Sequence, residues 1–187
     1  MTPSHADPYR PRGKHRSKKP THRCWAFLLP GRRSPLEILS LSIALFELRL
    51  DLKDNAKLTT RDVPAFREQL LQALPTLREH KCWSGETGGF IQEVDLGTDF
   101  AHVVEHVILE LQHLADPRHR IYSGWTKPTP DPRTSGDRRM YTLHFQTRSF
   151  EIGSAASKRA VGIVSDLVRG HPPDTRGALD ELGTFTW

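Results

Sequence analysis

The stretch DFAHVVEHVILELQHLADP, residues 99–117, constrains this chain more than any other part of it. A start signal at Thr98 or Asp99, an apolar stripe at Phe100, Val103, Val107, Leu111 and Leu114, and a stop at Pro117 predict one helix. On that helix His102, Glu105 and His106 stand at i, i+3 and i+4, so they project from one face, clear of the stripe. Two imidazoles so spaced reach a single ion, and the acid lies beside it. The order H-x-x-E-H inverts the H-E-x-x-H zinc signature. In both, His nitrogens bind Zn²⁺ and the Glu handles the proton of a metal-bound water.

A catalytic zinc needs a third protein ligand and one open position. Glu110 is the local competitor, but in a straight helix it points about a turn past the ion. Glu151, in the first turn of the last expected helix, is therefore the expected third ligand. His80 and Cys82 are the alternatives, and a Cys82 ligand would give the site a structural rather than catalytic character. The loop EHKCWSGETGG, residues 79–89, contributes Glu79, His80 and Gly89 as expected cleft residues.

Around this helix the pattern alternates strands and helices. Strands are expected at Arg23–Leu29, Ile43–Leu52, Phe90–Val94 and Tyr141–Phe145, from apolar runs or period-two alternation. Further helices are expected from Asp62 and Pro64 to Pro75, and from Phe150 to Arg169. Residues 121–138, rich in Pro, Gly, Thr and Asp, read as a long surface loop. The sum is an α+β domain over residues 23–170: a small antiparallel or mixed sheet packed against three main helices, with residues 171–187 as a C-terminal tail.

Charge separates the beginning of the chain from the rest. Residues 1–23 carry Arg10, Arg12, Lys14, Arg16, Lys18, Lys19 and Arg23 against Asp7 alone, a net of +6. The whole chain carries +5, which leaves −1 for residues 24–187. Residues 1–22 thus read as a disordered basic arm, and nucleic-acid binding is not expected of the near-neutral remainder. The apolar stretch Leu39–Leu48 is broken by Ser40, Ser42 and Glu47, so no membrane span is expected. With no apolar segment following the early basic residues and only two cysteines, a cytoplasmic, reduced protein is expected. Oligomeric state stays open, a homodimer included.

The run LPTLREHKCWSGETGGFIQEVDLGTDFAHVVEHVILELQ resembles the N-terminal domain of cyanophycin synthetase, as do FELRLDLKD, VPAFREQLLQALP and YTLHFQTRSFEIGSAASKRAV. The likeness spans roughly residues 34–167 and rests on EHxC, GGF, HVVEH and E-x-G in that order. In that family the domain precedes two ligase domains that build cyanophycin, a polyaspartate bearing arginine on each side chain. No G-x-x-x-x-G-K-[ST] occurs here, so ligation is not expected of this chain itself. The resemblance implies a metallopeptidase-like site with Glu105 essential and His102 and His106 as ligands, and it aligns Glu151 with an acidic residue before the family's Gly. Departures are SPLEILS in place of a GPN-YWS segment, Gln146 in place of an acid, and the divergent loop 121–138.

The expected function is accordingly a zinc-dependent hydrolase of an amide or peptide bond, with cyanophycin or an aspartate- and arginine-containing peptide as substrate. Glu105 would act as general base and His102, His106 and Glu151 as zinc ligands. The rival expectation is a non-catalytic binding module for a charged polymer or a partner ligase.

Overall fold

A computed structural model describes residues 44–52, 55, 57–82, 85–118, 123–129 and 140–186. The expected strand Arg23–Leu29 and the basic arm lie outside the described residues. Three antiparallel strands form one sheet: β1 (Ala44–Asp51), β2 (Gly124–Pro128) and β3 (Met140–Thr147), in the order β1-β3-β2. Five helices accompany it among the described residues: α1 (Phe66–Ala73), α2 (Gly89–Leu96), α3 (Phe100–Ala115), α4 (Phe150–Val168) and α5 (Thr175–Leu182). The α+β class is as expected.

The central strand shows why the sheet has two unlike faces. Tyr141, Leu143, Phe145 and Thr147 of β3 alternate into the core and are buried, while His144 and Gln146 are only partly covered. Register carries the alternation across: Phe46 lies opposite Phe145, and their rings stack with centroids 5.0 Å apart. Glu47 and Trp125 flank His144 from the two sides on the outer face.

Helices α3 and α4 cover the core face. The Ser149 hydroxyl caps α4 by accepting from the Ile152 N–H at 3.3 Å, and the alanines at 155, 156 and 160 let the helix lie close. Gly153 is required here, because a Cβ would come within 2.7 Å of the Phe46 ring.

Three expectations are corrected. Residues 90–94 are helical, in α2, because Phe90, Ile91 and Val94 are buried at helical spacing whereas strand alternation would have buried Gln92, which is exposed. The loop expected over 121–138 contains β2, whose brief Gly-Trp-Thr-Lys-Pro pattern has no apolar inner face to announce a strand. The expected tail 171–187 contains α5, capped by Asp174 and anchored on the core by the buried Ala178 and Leu182. Two apolar positions four apart are too sparse a signal in sequence. Among the described residues no helix is long and apolar enough to cross a membrane.

If α5 belongs to the fold, Leu182→Ala, which empties a fully buried site, should cost about 2–4 kcal/mol in urea unfolding. An unchanged midpoint would show that α5 is peripheral.

Candidate metal centre and cleft

Helix α3 is buried on almost every side: of its first thirteen positions only His102 is not buried. It packs against α4 and α5, while Glu105 meets β2, His106 meets Phe90 of α2, Glu110 meets the turn Pro75–Glu79 with His80, and Gln112 donates to Gln146 O of β3. Buried polar groups are tolerable only when each finds a partner. For His102, Glu105, His106 and Glu110 the partners come from three directions, whereas Gln112 Oε1 and His113 Nδ1, farther along the helix, have none among the described residues.

From the turn, His80 places Nε2 2.8 Å from Glu110 Oε2, and the Thr76 hydroxyl donates to the other oxygen of Glu110. The second nitrogen of His80 lies 3.0 Å from His106 Nδ1. With His80 Nε2 donating to Glu110, one proton closes the contact between the two Nδ1 atoms; carried by His106, it leaves the His106 Nε2 lone pair free. Thr98 Oγ1 lies 2.9 Å from His102 Nδ1, and by the same logic leaves His102 Nε2 free. That atom lies 3.4 Å from Cys82 Sγ. Phe90 of α2 stacks on His106 with centroids 3.9 Å apart and planes 17° from parallel, which holds the ring.

The ligand atoms of Cys82, His102 and His106 all fall within 4.8 Å of one another. One thiolate and two imidazoles are a donor set suited to zinc, so these residues fit a divalent metal. The structure does not bring Glu151 to them. It is exposed in the first turn of α4, and its carboxyl is held below the usual range by its own backbone N–H and the Ser149 hydroxyl. Position N2 of a helix uses an acid as a cap, which the sequence pattern alone does not distinguish from a ligand.

Glu105 points to β2, where the Thr126 hydroxyl donates to it. Gly124 makes room, since a Cβ there would come within 2.9 Å of Glu105 Oε1. Burial pushes the Glu105 carboxyl up to about 7 against the opposing Thr126 bond. Burial also drives His106 well below its ordinary value, with His102 and His80 adding to the effect. His102 is lowered for the same first reason, partly offset by Glu93 and Asp99. For Glu110, burial acts upward, but the His80 and Thr76 hydrogen bonds outweigh it and the carboxyl lies below the usual range.

His102, Glu105, His106 and Leu109 form the floor of a cleft of about 490 Å³. One wall is Ser123–Thr126 with Pro128, and the other includes Lys81, Cys82, Thr98 and Asp99. Of the expected cleft residues, none is in the lining. Glu79 is exposed at the end of its turn, Gly89 is buried in the first turn of α2, and His80 buttresses His106 instead. Gly124 and Thr126 were missed because residues 121–138 read as loop. The alternation of Trp125 and Lys127 around a β-branched Thr126 was the available signal.

Fold and site together define a small α+β domain in which an H-x-x-E-H helix lines a cleft beside an edge strand. The chain belongs to the cyanophycin synthase-like N-terminal domain family, whose pattern matches residues 47–169. It is 36% identical over 124 residues to a cyanophycin synthetase of Crocosphaera subtropica, covering 66% of this chain and 13% of that protein. Against the cyanophycin synthetase of Geminocystis herdmanii it is 36% identical over 140 residues, 74% of this chain and 14% of the relative. Against that of Trichormus variabilis the figure is 37% over 130 residues, 69% and 14%. The chain therefore spans about one seventh of the relatives it matches. These relatives are named as enzymes of bond formation, and that overturns the expectation of a zinc-dependent hydrolase with Glu105 as general base.

The raised Glu105 carboxyl has a stability consequence of definite sign. The folded state keeps this proton up to about pH 7, while the unfolded chain loses it near its ordinary 4.5. Stability is therefore full below 4.5 and falls as pH rises through 7, by about 3 kcal/mol. In chelator, Glu105→Gln should remove that decline and be more stable than the parent at pH 8 by more than at pH 5. Parallel curves for the two proteins in urea unfolding across pH would contradict the assignment.

Proposed function

We propose that this domain is a non-catalytic binding module for a charged polypeptide of the cyanophycin type, and that Cys82, His102 and His106 hold one divalent ion, zinc by preference, that stiffens the cleft. The observation that carries the reading is the composition of the cleft rim, where Lys81 and Asp99 face one space. A polyaspartate carrying arginine on each side chain presents a carboxylate and a guanidinium in every repeat, so it requires acceptors and donors together. The relatives are named for cyanophycin, which supports the same class of ligand. The thiolate among the donors gives the metal the character of a structural site, and the Thr126 hydrogen bond ties Glu105 to β2 as a link between helix and sheet.

Calorimetric titration of the purified protein with soluble aspartyl-arginine oligomers tests this, with polyaspartate and oligoarginine as controls. The mixed oligomer should bind more tightly than either control, and Lys81→Ala should weaken it roughly fivefold, the scale of one rim ion pair. Equal binding of all three ligands, or cleavage of the oligomer that depends on Glu105, would overturn the proposal.

A further inference from the structure

The ladder between β2 and β3 determines which backbone groups of β2 are left for another chain. The Gln146 N–H donates to Ser123 O at 2.9 Å and the Thr129 N–H donates to Met140 O at 2.7 Å, on either side of the strand. In an antiparallel pair the bonded positions alternate, so residues 123, 125, 127 and 129 turn their backbone groups to β3. Residues 124, 126 and 128 turn theirs the other way. β2 is an edge strand of the sheet, and among the described residues nothing bonds to the Gly124 or Thr126 N–H. The same residues form a wall of the cleft over His102, Glu105 and His106.

Unpaired edges are usually shielded, by charge, by proline or by a covering segment. Among the described residues no segment pairs with this edge; Pro128 closes its end, having no N–H, and Lys127 is the one charge on it. Gly124 and Thr126 thus leave donors and acceptors at two successive outward positions, a template for a few residues of extended chain. A ligand that completes this pattern must itself alternate N–H and C=O.

The geometry points to the free edge of β2 as the place where the polymer backbone adds as a fourth strand. This rests on the binding-module reading above and commits it to one mode: a polyaspartate main chain in extended form, hydrogen-bonded to Gly124 and Thr126 and lying along the cleft. Charge and aromatic groups on both faces suit its side chains. On the outer face, Trp125 is 46% exposed and stacked on His144 at 4.8 Å, a platform for a guanidinium. The exposed Lys127 lies two residues along the same face and offers a partner for a carboxylate. On the other face, side chains of the added strand meet the rim formed by Lys81 and Asp99.

Two variants of one residue test this. Thr126→Pro deletes the outward N–H, a change an edge strand tolerates; Thr126→Val deletes only the hydroxyl that holds Glu105. An aspartyl-arginine oligomer should bind Thr126→Pro roughly tenfold more weakly than Thr126→Val, which lacks the same hydroxyl but keeps the N–H, the loss of one backbone hydrogen bond left unmade. Hydrogen exchange on the unaltered protein gives a second measure that does not depend on how the variants fold. The Gly124 and Thr126 amides should become protected when the oligomer is added, while the already paired Trp125 and Lys127 amides change little. If the parent binds the oligomer but neither amide gains protection and Thr126→Pro binds equally, strand addition is wrong and the binding module stands. If the parent fails to bind the oligomer at all, both readings fall.

Discussion

The burial of a polar helix face is the constraint on which the rest of this molecule depends. Helix α3 carries His102, Glu105, His106 and Glu110 into a region where Glu105, His106 and Glu110 are 4, 5 and 0% exposed. Left unpaired, such groups would cost several kcal/mol each. The surrounding elements are placed so that they are not. The Pro75–Glu79 turn brings His80 and Thr76 to Glu110, Gly88 in its left-handed conformation swings α2 so that Phe90 covers His106, and β2 supplies Thr126 to Glu105. A network of this kind is costly to satisfy in part, so the loop 79–82, α2 and β2 are interdependent.

The same network orients the two histidines. Each histidine spends Nδ1 on the protein, on Thr98 or on His80, and His102 turns Nε2 to Cys82. Support of this kind is how proteins fix imidazoles around a metal. Cys82 arrives from a loop with Gly85 and Gly88 at positive φ, and the bridge between Lys81 and Thr87 closes it. The site is thus built from a helix that is rigid by burial and a short loop that glycine allows to turn back on itself.

Much of this was legible in sequence, and the gaps have physical causes. The spacing of His102, Glu105 and His106, the ends of α3 and α4, and the alternation in β3 all follow from local periodicity and caps, which a single segment carries by itself. α2 was misread because Phe90–Val94 is short enough to fit either period. β2 was missed because an edge strand with one side on a cleft needs little apolar character. α5 was missed because two small contacts suffice for a helix that closes one end of a core. That Cys82 rather than Glu151 lies beside the two histidines is a matter no local pattern encodes, since it depends on which loop folds back over α3. For Glu105, the H-x-x-E-H spacing announces its place beside the histidines but not its bond with Thr126 of β2, a partner 21 residues away.

The claim at the centre is that one thiolate and two imidazoles from these two elements meet at a single point. X-ray absorption at the zinc edge of the zinc-loaded protein measures it directly. One sulfur scatterer at about 2.3 Å and two nitrogens at about 2.0–2.1 Å are expected, with the sulfur lost in Cys82→Ser. A shell of nitrogen and oxygen alone in the unaltered protein would contradict it.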